Sequence, residues 1–106
     1  MDNPNLEPKD RINALINSSE VFLFMKGVPM APQCGFSASV IEMLNKTGIE
    51  FKTFDILSDM AIREGVKEFS NWPTYPQLYY KGTLIGGGDI VAELYEEGEL
   101  KDTLTA

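Results

Sequence analysis

The chain has no histidine and a single cysteine, Cys34, among 106 residues. The missing histidine excludes a Cys/His metal site built by this chain alone. It also excludes a Ser–His or Cys–His catalytic pair. One cysteine excludes an intramolecular disulfide framework and points to a reducing compartment. Basic residues are scarce: nine Lys and Arg stand against sixteen Asp and Glu, for a net charge of −7. They are scattered rather than clustered, which argues against nucleic acid as a partner. Long apolar runs are absent too. The longest, "VFLFM" at 21–25, has strand length and falls far short of the ~20 residues that span a bilayer, so no membrane partner is expected. The N-terminus, "MDNPNLEPKDR", is polar and acidic, unlike a secretory signal or an Arg-rich transit peptide. The expected location is cytoplasmic, with the nucleus equally compatible, or an organelle if a transit segment has been removed.

What is present fits one domain, 1–106, with an ordered core over about 8–104. The composition, 43% hydrophobic and 24% charged, is that of an ordinary globular domain. Ile12, Leu15 and Ile16 stand at helical spacing within 8–19, and 20–26 reads as a buried strand. Gly27, Pro29 and Pro32 make 27–33 a loop. Phe36, Val40, Ile41 and Leu44 share one face of a helix over 35–48, stopped by Gly48. A strand over 49–56 follows, then a helix over 58–70 with Ser58 and Asp59 as candidate caps and Ile62, Val66 and Phe69 as its apolar face. The two-proline loop 71–76 leads into two short strands within 77–87, joined through Lys81-Gly82. A helix runs from Asp89 to near Gly98, with a short terminal helix after it. This order predicts an α/β domain: a parallel β-α-β unit, a C-terminal hairpin, and a four-stranded mixed sheet flanked by helices.

Cys34 falls at the start of the second helix. Unpaired N–H groups and the positive end of the helix dipole favour a thiolate there, lowering the thiol pKa below its usual value of about 8.5. Lys26, at the end of the first strand, is placed to add a positive charge. One helical turn on, where a dithiol motif carries its second cysteine, stands Ser37. Serine cannot resolve a mixed disulfide. Its expected role is to satisfy backbone N–H groups at the helix start.

Four local motifs then occur in one order: Met25-Lys26-Gly27, Cys34-Gly35-Phe36-Ser37, Asn71-Trp72-Pro73-Thr74-Tyr75-Pro76-Gln77-Leu78, and Gly86-Gly87-Gly88-Asp89-Ile90-Val91. Each is weak alone. Together, over about residues 10–104, they resemble the monothiol, CGFS-type glutaredoxins, which implies a thioredoxin-like fold.

The resemblance implies glutathione as the external thiol. It implies Lys26 and Arg63 as partners for one glutathione carboxylate, although an Arg on a solvated helix face has no such role by default. It implies a cis bond before Pro76, which presents the Tyr75 backbone N–H and C=O to the glutathione cysteinyl backbone as an added strand would. Gly87, Gly88 and the following helix N-terminus are implied to hold the γ-glutamyl carboxylate. Asp89 is implied to pair with the ammonium, or serves as a plain helix cap. Phe36 and Thr74 belong to the same implied site. Trp72-Pro73 either shape its rim or simply pack.

Two functions from different classes follow from the resemblance. The first is an iron–sulfur carrier. A [2Fe–2S] cluster takes four thiolates, and two chains with two glutathiones supply them, each chain through Cys34. That implies a cluster-bridged homodimer, apo iron–sulfur acceptor proteins, a BolA-like partner and a role in cluster transfer and iron homeostasis. The second is a glutathione-dependent thiol–disulfide oxidoreductase, in which Cys34 removes glutathione from a mixed disulfide. The long loop before Cys34 lies beside the path of a second glutathione and disfavours turnover, leaving at most a weak enzyme. A third reading, a non-catalytic interaction module, is disfavoured by the joint presence of Cys34, Lys26, Arg63 and Asp89.

Overall fold

The computed structural model describes residues 5–106; the first four residues of the N-terminal stretch and of the domain read above lie outside the described residues. The elements, in chain order, are α1 (Pro8–Ile16), β1 (Val21–Met25), β2 (Gly27–Val28), β3 (Ala31–Pro32), α2 (Gly35–Thr47), β4 (Lys52–Asp55), α3 (Met60–Ser70), β5 (Gln77–Tyr80), β6 (Thr83–Gly86), α4 (Gly88–Glu96) and α5 (Leu100–Thr103). Four strands form one sheet in the order β4-β1-β5-β6. β1 runs parallel to β4 and antiparallel to β5, and β5 pairs antiparallel with β6. This is the mixed, helix-flanked sheet expected from the sequence.

β1 sits inside the sheet and is covered on both faces, which is why its sequence is an unbroken apolar run. Successive side chains point to opposite faces. Phe22 and Phe24 join Ile12, Ile16, Ile62 and Val66 under α1 and α3. Val21, Leu23 and Met25 join Val40, Ile41, Leu44 and Val91 under α2 and α4. The Phe24 ring stands edge-on to Phe22, Phe54 and Tyr79 at centroid distances of 5.1, 6.3 and 5.8 Å, a favoured aromatic geometry.

Several expected boundaries move. The loop 27–33 contains a minimal hairpin, with Gly27 opposite Pro32 and Val28 opposite Ala31. The strand expected over 49–56 is paired only over Lys52–Asp55, the residues in register with Phe22–Met25; Ile49 and Phe51 pack onto the α2-side core instead. α1 stops at Ile16 because the Ser18 hydroxyl and amide both donate to the Leu15 carbonyl, at 2.6 and 3.0 Å. α3 is capped by Asp59, whose carboxylate accepts the Ile62 N–H at 3.2 Å. Ser58 is not the cap; its hydroxyl donates to the Asp55 carbonyl at 2.6 Å. Phe69, expected on the apolar face of α3, is exposed in the last turn. Phe36 likewise leaves the apolar face of α2 and stands 67% exposed, because it turns to the cleft beside Gly88 while its neighbour Ser37 takes the buried position.

Candidate functional site

The site forms where the C-terminal end of β1 and the loop before β5 meet α3 and the N-termini of α2 and α4. Cys34 is itself the cap of α2: Sγ accepts the Ser37 N–H at 3.3 Å. The Ser37 hydroxyl also lies 3.3 Å from Sγ. Ser37 is fully buried, and its oxygen accepts the Lys26 backbone N–H at 3.1 Å. The amide it satisfies is therefore that of the strand end, and not one of the α2 helix start. The hydroxyl proton remains free to turn toward sulfur when Cys34 ionises. Burial pushes the Cys34 pKa up and is the largest single influence. The Ser37 hydroxyl and amide, the Phe36 amide and the Lys26 charge together outweigh it, so the thiol titrates below its usual value.

Beside Cys34 lies a cleft of about 630 Å³. Lys26 and Phe36 carry the thiol's end of it. Arg63 from α3, Thr74, Tyr75 and Pro76 from the connecting loop, and Gly87, Gly88 and Asp89 at the start of α4 complete the wall. All the residues singled out in the sequence thus converge, with Cys34 at the cleft's edge rather than in its lining. The Tyr75–Pro76 bond is cis. The Tyr75 side chain turns away from the cleft into the core under α1 and α3, where burial drives its pKa well up. Its hydroxyl is engaged there by the Arg63 carbonyl.

The cleft is lined by charges of both signs. Lys26 and Arg63 are its cations, and Asp89 stands in the first turn of α4, which also lines it. Among the described residues, the side chains of Lys26, Arg63 and Asp89 make no hydrogen bond or ion pair. Asp89 does not cap α4: Gly87 holds the cap position, without a side-chain cap bond. Its carboxylate is therefore free for another partner. A Cβ at Gly87 would stand 3.2 Å from Trp72 Nε1 and 3.3 Å from the Pro76 carbonyl, so glycine keeps this wall from pressing on the loop. At Gly88 a Cβ would meet Phe36 at an ordinary 3.8 Å.

Two lining residues, Lys67 and Ile90, are not singled out by the sequence, and of the two readings open for Trp72 and Pro73 the structure places both in the lining. Lys67 follows Arg63 by four residues, so both share one face of α3; that spacing was the available signal. Its ammonium also meets Glu64 at 3.2 Å. Gln77 was missed as well. It is fully buried. Its Nε2 donates to the Trp72 and Thr74 carbonyls at 3.0 and 3.2 Å, and its Oε1 accepts the Tyr79 hydroxyl at 3.1 Å. It braces the loop that carries the cis bond.

The glutaredoxin family model matches residues 21–85. A monothiol glutaredoxin of Arabidopsis thaliana is 61% identical over 97 residues, 92% of this chain and 20% of that protein. A ycf64-like uncharacterized monothiol glutaredoxin of Synechocystis is 52% identical over 94% of this chain and 94% of its own length. The chain belongs to the monothiol glutaredoxins. Its length thus matches the cyanobacterial relative and only a fifth of the plant one. Among solved structures, a reduced apo poplar glutaredoxin superposes with a TM-score of 0.80 at 42% identity, covering 92% of this chain and 89% of its own. A buckwheat glutaredoxin solved as a glutathione complex gives 0.81 at 25% identity, covering 92% and 87%. The thioredoxin-like fold of this monothiol glutaredoxin is thereby shown from its sheet order and from its relatives.

Proposed function

We propose that the cleft binds glutathione and that Cys34 uses it as a shared thiol partner. The observation that carries this is one cleft lined by two cations, Lys26 and Arg63, by the Asp89 carboxylate and by the α4 N-terminus, next to one capped thiol. Glutathione has a carboxylate at its glycine end and a zwitterionic γ-glutamyl end, so it matches all of these groups at once. The glycine carboxylate goes to Lys26 and Arg63. The γ-glutamyl carboxylate takes the first amides of α4, and its ammonium takes Asp89. The Tyr75 backbone pairs with the cysteinyl residue, and Phe36, Thr74, Pro76, Gly87 and Gly88 supply the walls.

In this reading the cargo is a [2Fe–2S] cluster bridged between two subunits. Among the described residues no group of three or more potential metal ligands occurs. Cys34 fits the role of a single ligand: it is partly exposed, inclined to thiolate and adjacent to the glutathione cleft. Two chains and two glutathiones then complete a thiolate set that exchanges with free glutathione, which suits delivery to apo iron–sulfur proteins and pairing with a BolA-like partner. The 27–33 hairpin directly before Cys34 favours this reading over rapid turnover. The lowered pKa of Cys34 supports the second reading, deglutathionylation, as a minor activity.

Calorimetric titration with glutathione tests the site. The native protein binds, and Arg63→Ala weakens binding about tenfold, the loss of one charge-assisted contact. Equal affinity in both proteins would remove the assignment. Turnover on a glutathione mixed disulfide should be slow; fast turnover would make the oxidoreductase reading the primary one.

A further inference from the structure

One carboxylate oxygen ties together the supports of both cations. The parallel ladder of β1 and β4 ends at Met25 opposite Asp55, and its last rung is the Ile56 N–H to the Met25 carbonyl at 3.0 Å. Beyond it β1 bends away into the hairpin at Gly27. Gly27 is buried with φ +90, and a Cβ there would lie 2.6 Å from the Ala31 carbonyl. The Gly27 N–H no longer faces a strand. Asp55 Oδ1 accepts it at 2.9 Å, and the same oxygen accepts the Leu57 N–H at 2.9 Å. Leu57 begins the short connection into α3, the helix that carries Arg63.

Lys26 precedes Gly27 and is held on the remaining sides. Its N–H goes to Ser37 Oγ at 3.1 Å, and its carbonyl accepts the Gln33 N–H at 2.8 Å. The backbone of Lys26 is thus pinned to α2, to the end of the hairpin and, through Gly27, to Asp55. Asp55 does not line the cleft.

We infer that Asp55 is a positioning residue for the cationic end of the cleft: through the Gly27 and Leu57 amides it sets the stance of Lys26 against Arg63. This rests on the proposed binding of glutathione. Hydrogen-bonding capacity does the work, because a carboxylate beside two cations would, by charge alone, weaken their hold on an anion. The two mechanisms therefore predict opposite signs. Removing the acid tightens anion binding if only its field matters, and loosens it if position matters.

The test compares glutathione with its glycine-amide, in which the glycine carboxylate is neutral, by calorimetry on the whole chain. The native protein should prefer glutathione. Asp55→Ala should weaken glutathione about five- to tenfold, one misplaced charge-assisted contact, and leave the amide nearly unchanged, so the preference collapses. Asp55→Asn keeps the accepting oxygen and should restore the preference. A general loss of structure would weaken both ligands alike. If Asp55→Ala does not fold, Asp55→Glu replaces it: the charge stays but the oxygen moves by a methylene, and the preference should again fall. A folded Ala or Glu variant with native preference, or an Asn variant that fails to restore it, overturns the inference. A native protein that binds neither ligand overturns instead the glutathione reading itself.

Discussion

The Tyr75 hydroxyl donates to the Arg63 carbonyl at 2.7 Å, joining the loop that carries the cis bond to the helix that carries the cleft's arginine. The side chain is only 8% exposed and packs among Ile12, Ile62 and Val66. It is a strut and not a ligand contact. Tyr75→Phe keeps the ring and loses one hydrogen bond, so it should cost about 1 kcal/mol in urea unfolding. Glutathione affinity should stay near the native value, because the proposed contact is with the Tyr75 backbone and the hydroxyl is engaged by Arg63. A large affinity loss at unchanged stability would show that the hydroxyl reaches the ligand.

Ser37 should control the reactivity of Cys34. With its oxygen engaged by the Lys26 amide, its proton is available to the thiolate. Ser37→Ala deletes the larger of the influences that lower the Cys34 pKa and leaves burial, which raises it, in place. The pH profile of alkylation should therefore move upward, since the Ser37 hydroxyl's lowering influence is gone and burial remains. Alkylation at neutral pH should slow accordingly. An unchanged profile would assign the thiolate to the helix end alone.

The Arg11 guanidinium meets the Asp59 carboxylate at 2.6 Å, with the arginine side chain only 6% exposed. The Arg11 hydrogen bond is the main reason that the Asp59 pKa is lowered; burial opposes it, and the Ile62 and Ala61 amides assist. A carboxylate with a depressed folded pKa stabilises fully above its unfolded value, about 4. That contribution fades as pH falls through the lower folded value. Native stability should therefore drop below about pH 4, and Asp59→Ala, which loses both pair and cap, should cost about 2 kcal/mol at pH 7 and flatten part of that slope. Urea titrations at pH 7 and pH 3 measure both.

Much of this was legible because it is local. The buried run Val21–Met25 and the spacing of Val40, Ile41 and Leu44 report burial through periodicity. Cys34, Lys26 and Asp89 stand in motifs whose order points to the family, Arg63 follows only from the family's site, and the cleft gathers Lys26, Arg63 and Asp89 with Cys34 at its edge. What escaped depends on chain segments meeting. Gln77 looks like any polar residue at a strand start until the Trp72 and Thr74 carbonyls fold back onto it. Asp55 looks like a strand end until the Gly27 amide arrives 28 residues away in sequence. Ser37 was expected to serve its own helix and instead serves the strand beside it. Phe36 has the spacing of a core residue, yet it lines the cleft and stands exposed.

The proposed role of Cys34 is that of one ligand in a shared cluster site completed by glutathione. Anaerobic reconstitution with ferrous iron, sulfide and glutathione, read by visible absorption and by molecular size, addresses it directly. A coloured dimer that requires glutathione and is lost in Cys34→Ser is expected. A colourless monomer, or colour that forms equally without glutathione, would rule the role out.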